Sequence, residues 1–157
     1  MMIPREQRLI LSGMPPELPE NERVKSIVGA FFDVFNYFGY GLSETLYMAA
    51  LEHELCLRGH VTVRELRVPI YYKDRRIGWQ RLDLVVDDKV IVEGKAGEKL
   101  PPPSRLQVIT YLHATKFEVG LLLHFGPRPS FQRFVDSPKR QLGFTTPQKV
   151  SAHRDAD

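Results

Sequence analysis

The stretch RLDLVVDDKVIVEGKA, residues 81–96, constrains the fold more than any other part of the chain. It reads as two apolar strands joined by a charged turn, yet Asp83 lies inside the first strand, and Glu93 and Lys95 lie inside the second. Carboxylates and ammonium groups rarely enter a sheet core unless they are paired or bind a metal. Glu93 and Lys95 are two residues apart and so share a face of their strand with Ile91, whereas Val92 and Gly94 take the other face. Register decides whether Asp83 joins them, because a slip of one residue turns every side chain over. A three-residue loop of Asp87, Asp88 and Lys89 opposes Val86 to Val90 and Asp83 to Glu93. A two-residue loop of Asp87 and Asp88 opposes Asp83 to Val92 and splits the acids. Three-residue hairpin loops with a left-handed residue are common, and convergence of the two acids is the expectation.

The elements around this hairpin follow from periodicity. Val24, Ile27, Val28, Phe31, Phe35 and Phe38 recur at helical spacing and predict a helix from Glu22 with one buried stripe, ended by Gly39 and Gly41. A second helix is expected from Leu42 to about Arg58, with Ser43 as N-cap and Gly59 as the stop. HVTVRELRVPIYY alternates as a strand, KDRR reads as a turn, and IGWQRLDLVV and VIVEGKA follow as strands. Ser104 is placed to cap a third helix over Arg105 to about Thr115, with Leu106, Ile109 and Leu112 supplying much of its buried stripe. EVGLLLHF has the continuous apolarity of a strand covered on both faces, and SFQRFV is a last strand. The order α-α-β-β-β-α-β-β predicts an α/β domain, a mixed sheet flanked by helices, over residues 22–135. Residues 1–21, rich in proline, read as a loosely ordered leader, and 136–157 as a polar tail.

Composition narrows the function classes. At 157 residues and 43% hydrophobic, the chain suits one soluble domain. No apolar run reaches bilayer length, no secretory signal opens the chain, and one cysteine, Cys56, leaves no disulfide framework and no multi-cysteine zinc site. A cytoplasmic protein without membrane contact is expected. The net charge of +3 permits a polyanionic partner without demanding one, and the basic residues are scattered along the sequence.

Two carboxylates on one face repel unless a cation lies between them. Mg²⁺ takes hard oxygen ligands and often uses one or two carboxylates, with water and phosphate completing the shell. Acids, metal and a lysine make a phosphodiester-hydrolysis site. The competing reading of the same residues is a buried salt bridge between Lys95 and an acid, and spacing alone favours it.

Further motifs carry a resemblance. Gly41-x-x-Glu44-x-x-Tyr47 heads the second helix, Gln107-x-x-x-Tyr111 lies in the third, and EVGLLLHFG follows. In this order and spacing the chain resembles the GxxExxY proteins, a branch of the PD-(D/E)xK nuclease superfamily, over about residues 22–135. The resemblance implies a restriction-endonuclease-like core with a metal site on adjacent strands. Asp83 then matches the motif aspartate, Glu93 and Lys95 the (D/E)-x-K, and Glu44 the helix glutamate that joins the metal site. Gln107 and Tyr111 match an element lying near the active site that contacts nucleic acid or supports the metal cluster. Mg²⁺ or Mn²⁺ is the implied cofactor and nucleic acid the implied partner, DNA ahead of RNA by the habit of the superfamily; a homodimer or another protein partner stays open. Lys99 and Arg105, flanking LPPPS, are candidates for phosphate contact. Three positions depart from the pattern: Leu82 stands where a proline is usual, Gly94 fills the middle of the E-x-K, and His124 replaces an asparagine before Phe-Gly. A glycine inside a strand marks a bulge or a close approach by another group.

Read as residues alone, Tyr47 is a packing side chain with a polar tip, His124 is structural, Cys56 belongs to the core, and Trp79 packs on the sheet unless it stacks on a base. The five histidines lack metal-ligand spacing. Two rivals to a nuclease remain: a nucleic-acid- or protein-binding module on the same fold, and a plain scaffold in which Lys95 bridges Asp83 and Glu93.

Overall fold

The computed structural model describes residues 19–136; most of the expected leader and tail, and His153, lie outside these residues. Three helices and five strands follow in the order α1 (Asn21–Phe38), α2 (Glu44–Leu57), β1 (Thr62–Tyr72), β2 (Arg75–Val86), β3 (Val90–Ala96), α3 (Ser104–Ala114), β4 (Val119–Phe125) and β5 (Ser130–Val135). The sheet runs β1-β2-β3-β4-β5. Every neighbouring pair is antiparallel except β3 and β4, which are parallel and joined by α3 as the crossover. This is the mixed, helix-flanked α/β architecture that the pattern predicts.

Two apolar clusters cover the two faces. On one, Ile27, Phe31 and Phe32 of α1 and Tyr47, Met48 and Leu51 of α2 pack against Leu84, Val86, Val90, Val92, Leu121 and Phe125. On the other, Leu112 of α3 packs with Phe117, Val68, Leu82, Val85 and Ile91. β4, covered on both faces, is buried from end to end.

Several local expectations are corrected. α2 begins at Glu44 rather than Leu42, with Ser43 as its N-cap, the Oγ accepting from Leu46 N. Phe38 leaves the stripe: α1 buries Val24 to Val34, and the Phe38 ring lies exposed, edge-on to Tyr37. The KDRR turn is tighter than read, since Tyr72 pairs with Arg75 and only Lys73 and Asp74 form the loop. Ser104 is the first residue of α3 rather than its cap. Leu106 is exposed because α3 turns Val108 and Leu112, four apart, toward the sheet, and Leu106 falls on the far side. Cys56 is exposed, its neighbour Leu55 being the residue that α2 buries.

The β2–β3 loop is a fixed point of the fold. Asp87 and Asp88 both take left-handed conformations, at φ 54° and 53°. The Asp87 carboxylate accepts from Val61 N at 2.8 Å and from Arg23 Nε at 2.8 Å, and contacts His60 Nδ1 at 2.7 Å. Ser26 Oγ lies 2.7 Å from His60 Nε2. The row Ser26–His60–Asp87 has the bonding order of a hydrolase triad. Ser26, however, sits in the body of α1, where backbone N–H groups are consumed by the helix ladder and leave no oxyanion hole. The network ties α1, the α2–β1 corner and the loop together. Burial pushes the Asp87 carboxyl up, but the bonds from His60, Arg23 and Val61 outweigh it and hold the group down at about 2. The stability it contributes is therefore complete above its ordinary value of 3.8 and is lost as pH falls toward 2. Asp87→Asn should lower stability by about 1–2 kcal/mol at neutral pH, with the difference from wild type closing in that acid window in urea unfolding.

Candidate active site

The acids meet where β2 and β3 part. The ladder between these strands pairs Val86 with Val90, Val85 with Ile91 and Leu84 with Val92, the register of the three-residue loop. At the next position the strands splay, and the Glu93 carboxylate enters the gap, its Oε1 accepting from the Asp83 backbone N–H at 3.3 Å. On the other edge of β2, Glu65 of β1 falls between the Arg64–Leu84 and Leu66–Leu82 pairs and holds a left-handed φ of 53°. β2 turns its faces here. Leu84 packs with α1 and α2, whereas Leu82, on the same side by simple alternation, packs with α3. Asp83 is thus the residue at the kink.

Glu93 is only 2% exposed. Burial, with the charge and hydrogen bond of the Asp83 carboxyl added to it, pushes the Glu93 carboxyl up to about 8 against the pull of Lys95. The Glu93 carboxyl therefore holds its proton at neutral pH. Glu44 opens α2 and is partly buried; burial raises its carboxyl, Lys95 lowers it and Asp83 raises it, so all three groups share one electrostatic neighbourhood. Lys95 follows Glu93 on the same face of β3 and makes no salt bridge with any described carboxylate. The closed Lys95 bridge of the scaffold reading is therefore not what these residues form.

Gly94 is not a bulge. β3 pairs with β4 without interruption from Val90–Val119 to Ala96–Phe125. The missing side chain admits α2 instead: a Cβ at Gly94 would lie 2.3 Å from Met48 Sδ. Met48 is one helical turn beyond Glu44, so this close approach sets how near Glu44 stands to β3. Tyr47 secures the same helix end. Its ring is buried and stacked on Phe125 at 4.2 Å, its hydroxyl donates to Gly39 O, and it accepts from Leu42 N at 3.2 Å. Tyr47 is the packing residue with a polar tip that its spacing suggests.

On the other side, Gln107 and Tyr111 share a face of α3. The Tyr111 hydroxyl accepts from Gln107 Nε2 at 2.7 Å and from Gln80 Nε2 at 3.0 Å. Burial raises the Tyr111 hydroxyl, Gln107 lowers it, and the charges of Glu93 and Asp83 raise it further, which brings it into the same field. With both acceptor directions used, its proton is free to be donated. Gln80 is a member of this group that the sequence did not point to; one amide on a strand carries no signal until strand and helix meet. Lys99 is exposed in the loop after β3, and the Arg105 guanidinium lies 6.0 Å from the Phe134 ring. His124 Nε2 contacts Gly97 O at 2.8 Å and fastens the start of that loop.

A family model for the PD-(D/E)XK nuclease superfamily matches residues 21–134. The chain belongs to this superfamily. No curated protein and no solved structure matches it. For a PD-(D/E)XK nuclease domain a divalent metal is the general rule, and the donor set suits a small hard ion: two adjacent carboxylates, one of them buried. Among the described residues no group of three or more His, Cys, Asp or Glu side chains could cage an ion, so a metal held by these carboxylates would take water or phosphate for its remaining ligands.

Proposed function

We propose that the protein is a divalent-metal-dependent nuclease that hydrolyses phosphodiester bonds of DNA, within the GxxExxY branch of its superfamily. The observation that carries this reading is the buried contact between Asp83 and Glu93 at the splayed strand ends, with Lys95 on the same strand face and without a salt bridge. Asp83 and Glu93 would hold the metal, with Glu44 completing the acidic side. Bound there, a divalent ion supplies Lewis acidity toward a phosphoryl oxygen and lowers the pKa of water. The chain's own groups do the rest. Glu93 gives up its proton when it becomes a ligand. Lys95 places a positive charge where negative charge develops on the phosphorus oxygens. Tyr111, held by the two amides, directs its O–H toward a phosphate oxygen, and the buried floor of Ile91 and Val85 excludes water from beneath the site. Lys99, in the loop after β3, and Arg105, at the head of α3, are available to phosphates farther along the strand.

The test is cleavage of end-labelled single- and double-stranded DNA and RNA with Mg²⁺, with Mn²⁺ and with chelator. Turnover that requires the metal and prefers DNA is the expected result. Salt-sensitive binding with no turnover on any of the four substrates would favour the binding module instead.

A further inference from the structure

Strands β1 and β2 form an arm that outruns the rest of the sheet. They pair at ten positions, from Thr62–Val86 out to Tyr72–Arg75, whereas β2 and β3 pair at three. The outer part of β2, from Arg75 to Leu82, therefore has β1 beside it and, among the described residues, no strand on its other edge. At a strand rise this overhang is about 25 Å long. One face of it rests on α3: Leu66, Val68, Ile70 and Leu82 pack with Leu112 and Tyr111. The opposite face carries Arg67 and Arg81, which pair across the ribbon, and Trp79. The guanidinium groups of Arg67 and Arg76 each lie 4.8 Å from the centre of the Trp79 ring. Arg81 is 64% exposed in its side chain and reaches Glu65 at 3.7 Å; no salt bridge joins Arg67, Arg75 or Arg76 to a described carboxylate.

The fold concentrates charge that looks scattered in the sequence. Residues 62–81 hold six Lys and Arg against two Asp and Glu, a net +4, while the whole chain, with 22 against 19, is +3. Everything outside the arm is thus net −1, and the site at the arm's base is acidic. A basic ribbon two residues from Asp83 is a surface for a polyanion that continues into the site.

We infer that the arm is a binding element for the phosphate backbone of double-helical nucleic acid, with Trp79 holding Arg67 and Arg76 in place for phosphates. This rests on the nuclease reading for the direction in which the bound strand runs, but not for the binding itself. A duplex is favoured over a single strand by what the aromatic group does. Single-strand binders offer open aromatic faces to bases, and the Trp79 ring is occupied by guanidinium groups. A two-stranded ribbon also has the width of the major groove, and its overhang covers most of a helical turn, about 34 Å.

The experiment is fluorescence anisotropy of a labelled 24-base-pair duplex and the matching single strand, in chelator, over a series of salt concentrations. Each phosphate contact released lowers the slope of log K against log salt by about 0.9 on duplex DNA. The variant Arg67→Gln/Arg75→Gln/Arg76→Gln should lose about 2–3 from that slope and on the order of 100-fold in duplex affinity at 0.1 M salt. The matching triple Lys variant, which keeps the charge, should retain the slope and so controls for folding. Tighter binding to duplex than to single strand is expected. An unchanged slope in the Gln variant overturns the inference, as does single-strand binding that is tighter than duplex binding. Because no metal is present, the assay reads the arm whether or not the site cleaves. Arm-dependent binding by a protein that never cleaves overturns the nuclease reading alone, and cleavage by a protein whose Gln variant binds normally overturns the arm alone.

Discussion

Glu93→Gln and Asp83→Asn are each expected to lower metal-dependent cleavage by about 10³-fold or more, some 4 kcal/mol of transition-state stabilisation. The two substitutions preserve shape and remove only ionisable oxygens, so the loss reads the charge. Glu93→Gln carries a second signature. The Glu93 carboxyl stands at about 8 in the folded chain against an ordinary 4.5, so the fold binds its proton more tightly than the unfolded chain does. The stability from that proton is complete below about 4.5 and is lost as pH rises through about 8. Metal-free wild type should therefore weaken across this window, by roughly 2–4 kcal/mol, and Glu93→Gln should flatten the profile and be the more stable protein at pH 8. Saturating Mg²⁺ should reverse the order, because only wild type gains the ligand's binding energy. Urea midpoints at pH 5 and 8, with and without Mg²⁺, check this. A flat wild-type profile would mean that Glu93 is not the buried acid it is taken to be.

Gly94→Ala should be the most damaging change outside the charged groups. A methyl there meets Met48 Sδ at 2.3 Å, and Met48, though flexible, is itself buried in the core. Overpacking of this kind costs about 1–3 kcal/mol. Relief comes from a new Met48 rotamer together with a lift of α2 from β3; the lift carries Glu44 outward, so cleavage should fall by about 10- to 100-fold on top of the stability loss. Adding Met48→Ala should recover much of the stability of Gly94→Ala by making room. A Gly94→Ala protein with the wild-type urea midpoint would show that the α2–β3 contact is looser than described.

Much of this was legible before any coordinates. Counting loop residues left two registers for the β2–β3 hairpin, and the expectation that the acids converge selected the three-residue loop, the one the ladder takes. β4 announced itself by a nearly unbroken apolar run, with His124 its one polar residue. Where the reading failed, the local pattern was indifferent between answers. α3 has apolar residues on several sides, so a stripe through Leu106, Ile109 and Leu112 fits its pattern, whereas the sheet takes Val108 and Leu112. Cys56 neighbours Leu55, and only one of two adjacent residues faces inward. Gly94 was flagged as a bulge or a close approach, but the sequence could not name Met48 as the group that approaches. The arm was invisible for a different reason. Its arginines lie on two strands, and only antiparallel pairing brings Arg67 beside Arg81. The same holds for Gln80, whose partner Tyr111 is 31 residues away.

The overhang also gives the chain an adjustable ruler. The outer ribbon is not laced to β3, so its length is set by the Lys73–Asp74 turn and not by the sheet. Two residues added to each strand beside that turn would carry the tip about 7 Å farther out while every side chain keeps its face. One residue added to each strand farther in, between Arg76 and Trp79 on β2, would instead turn Arg76 over to the face that α3 covers. Melting temperature should barely move in the first case and should drop in the second. Variation of the arm in steps of two is then a route by which a domain of this kind alters the reach of its grip without disturbing the carboxylates at its base.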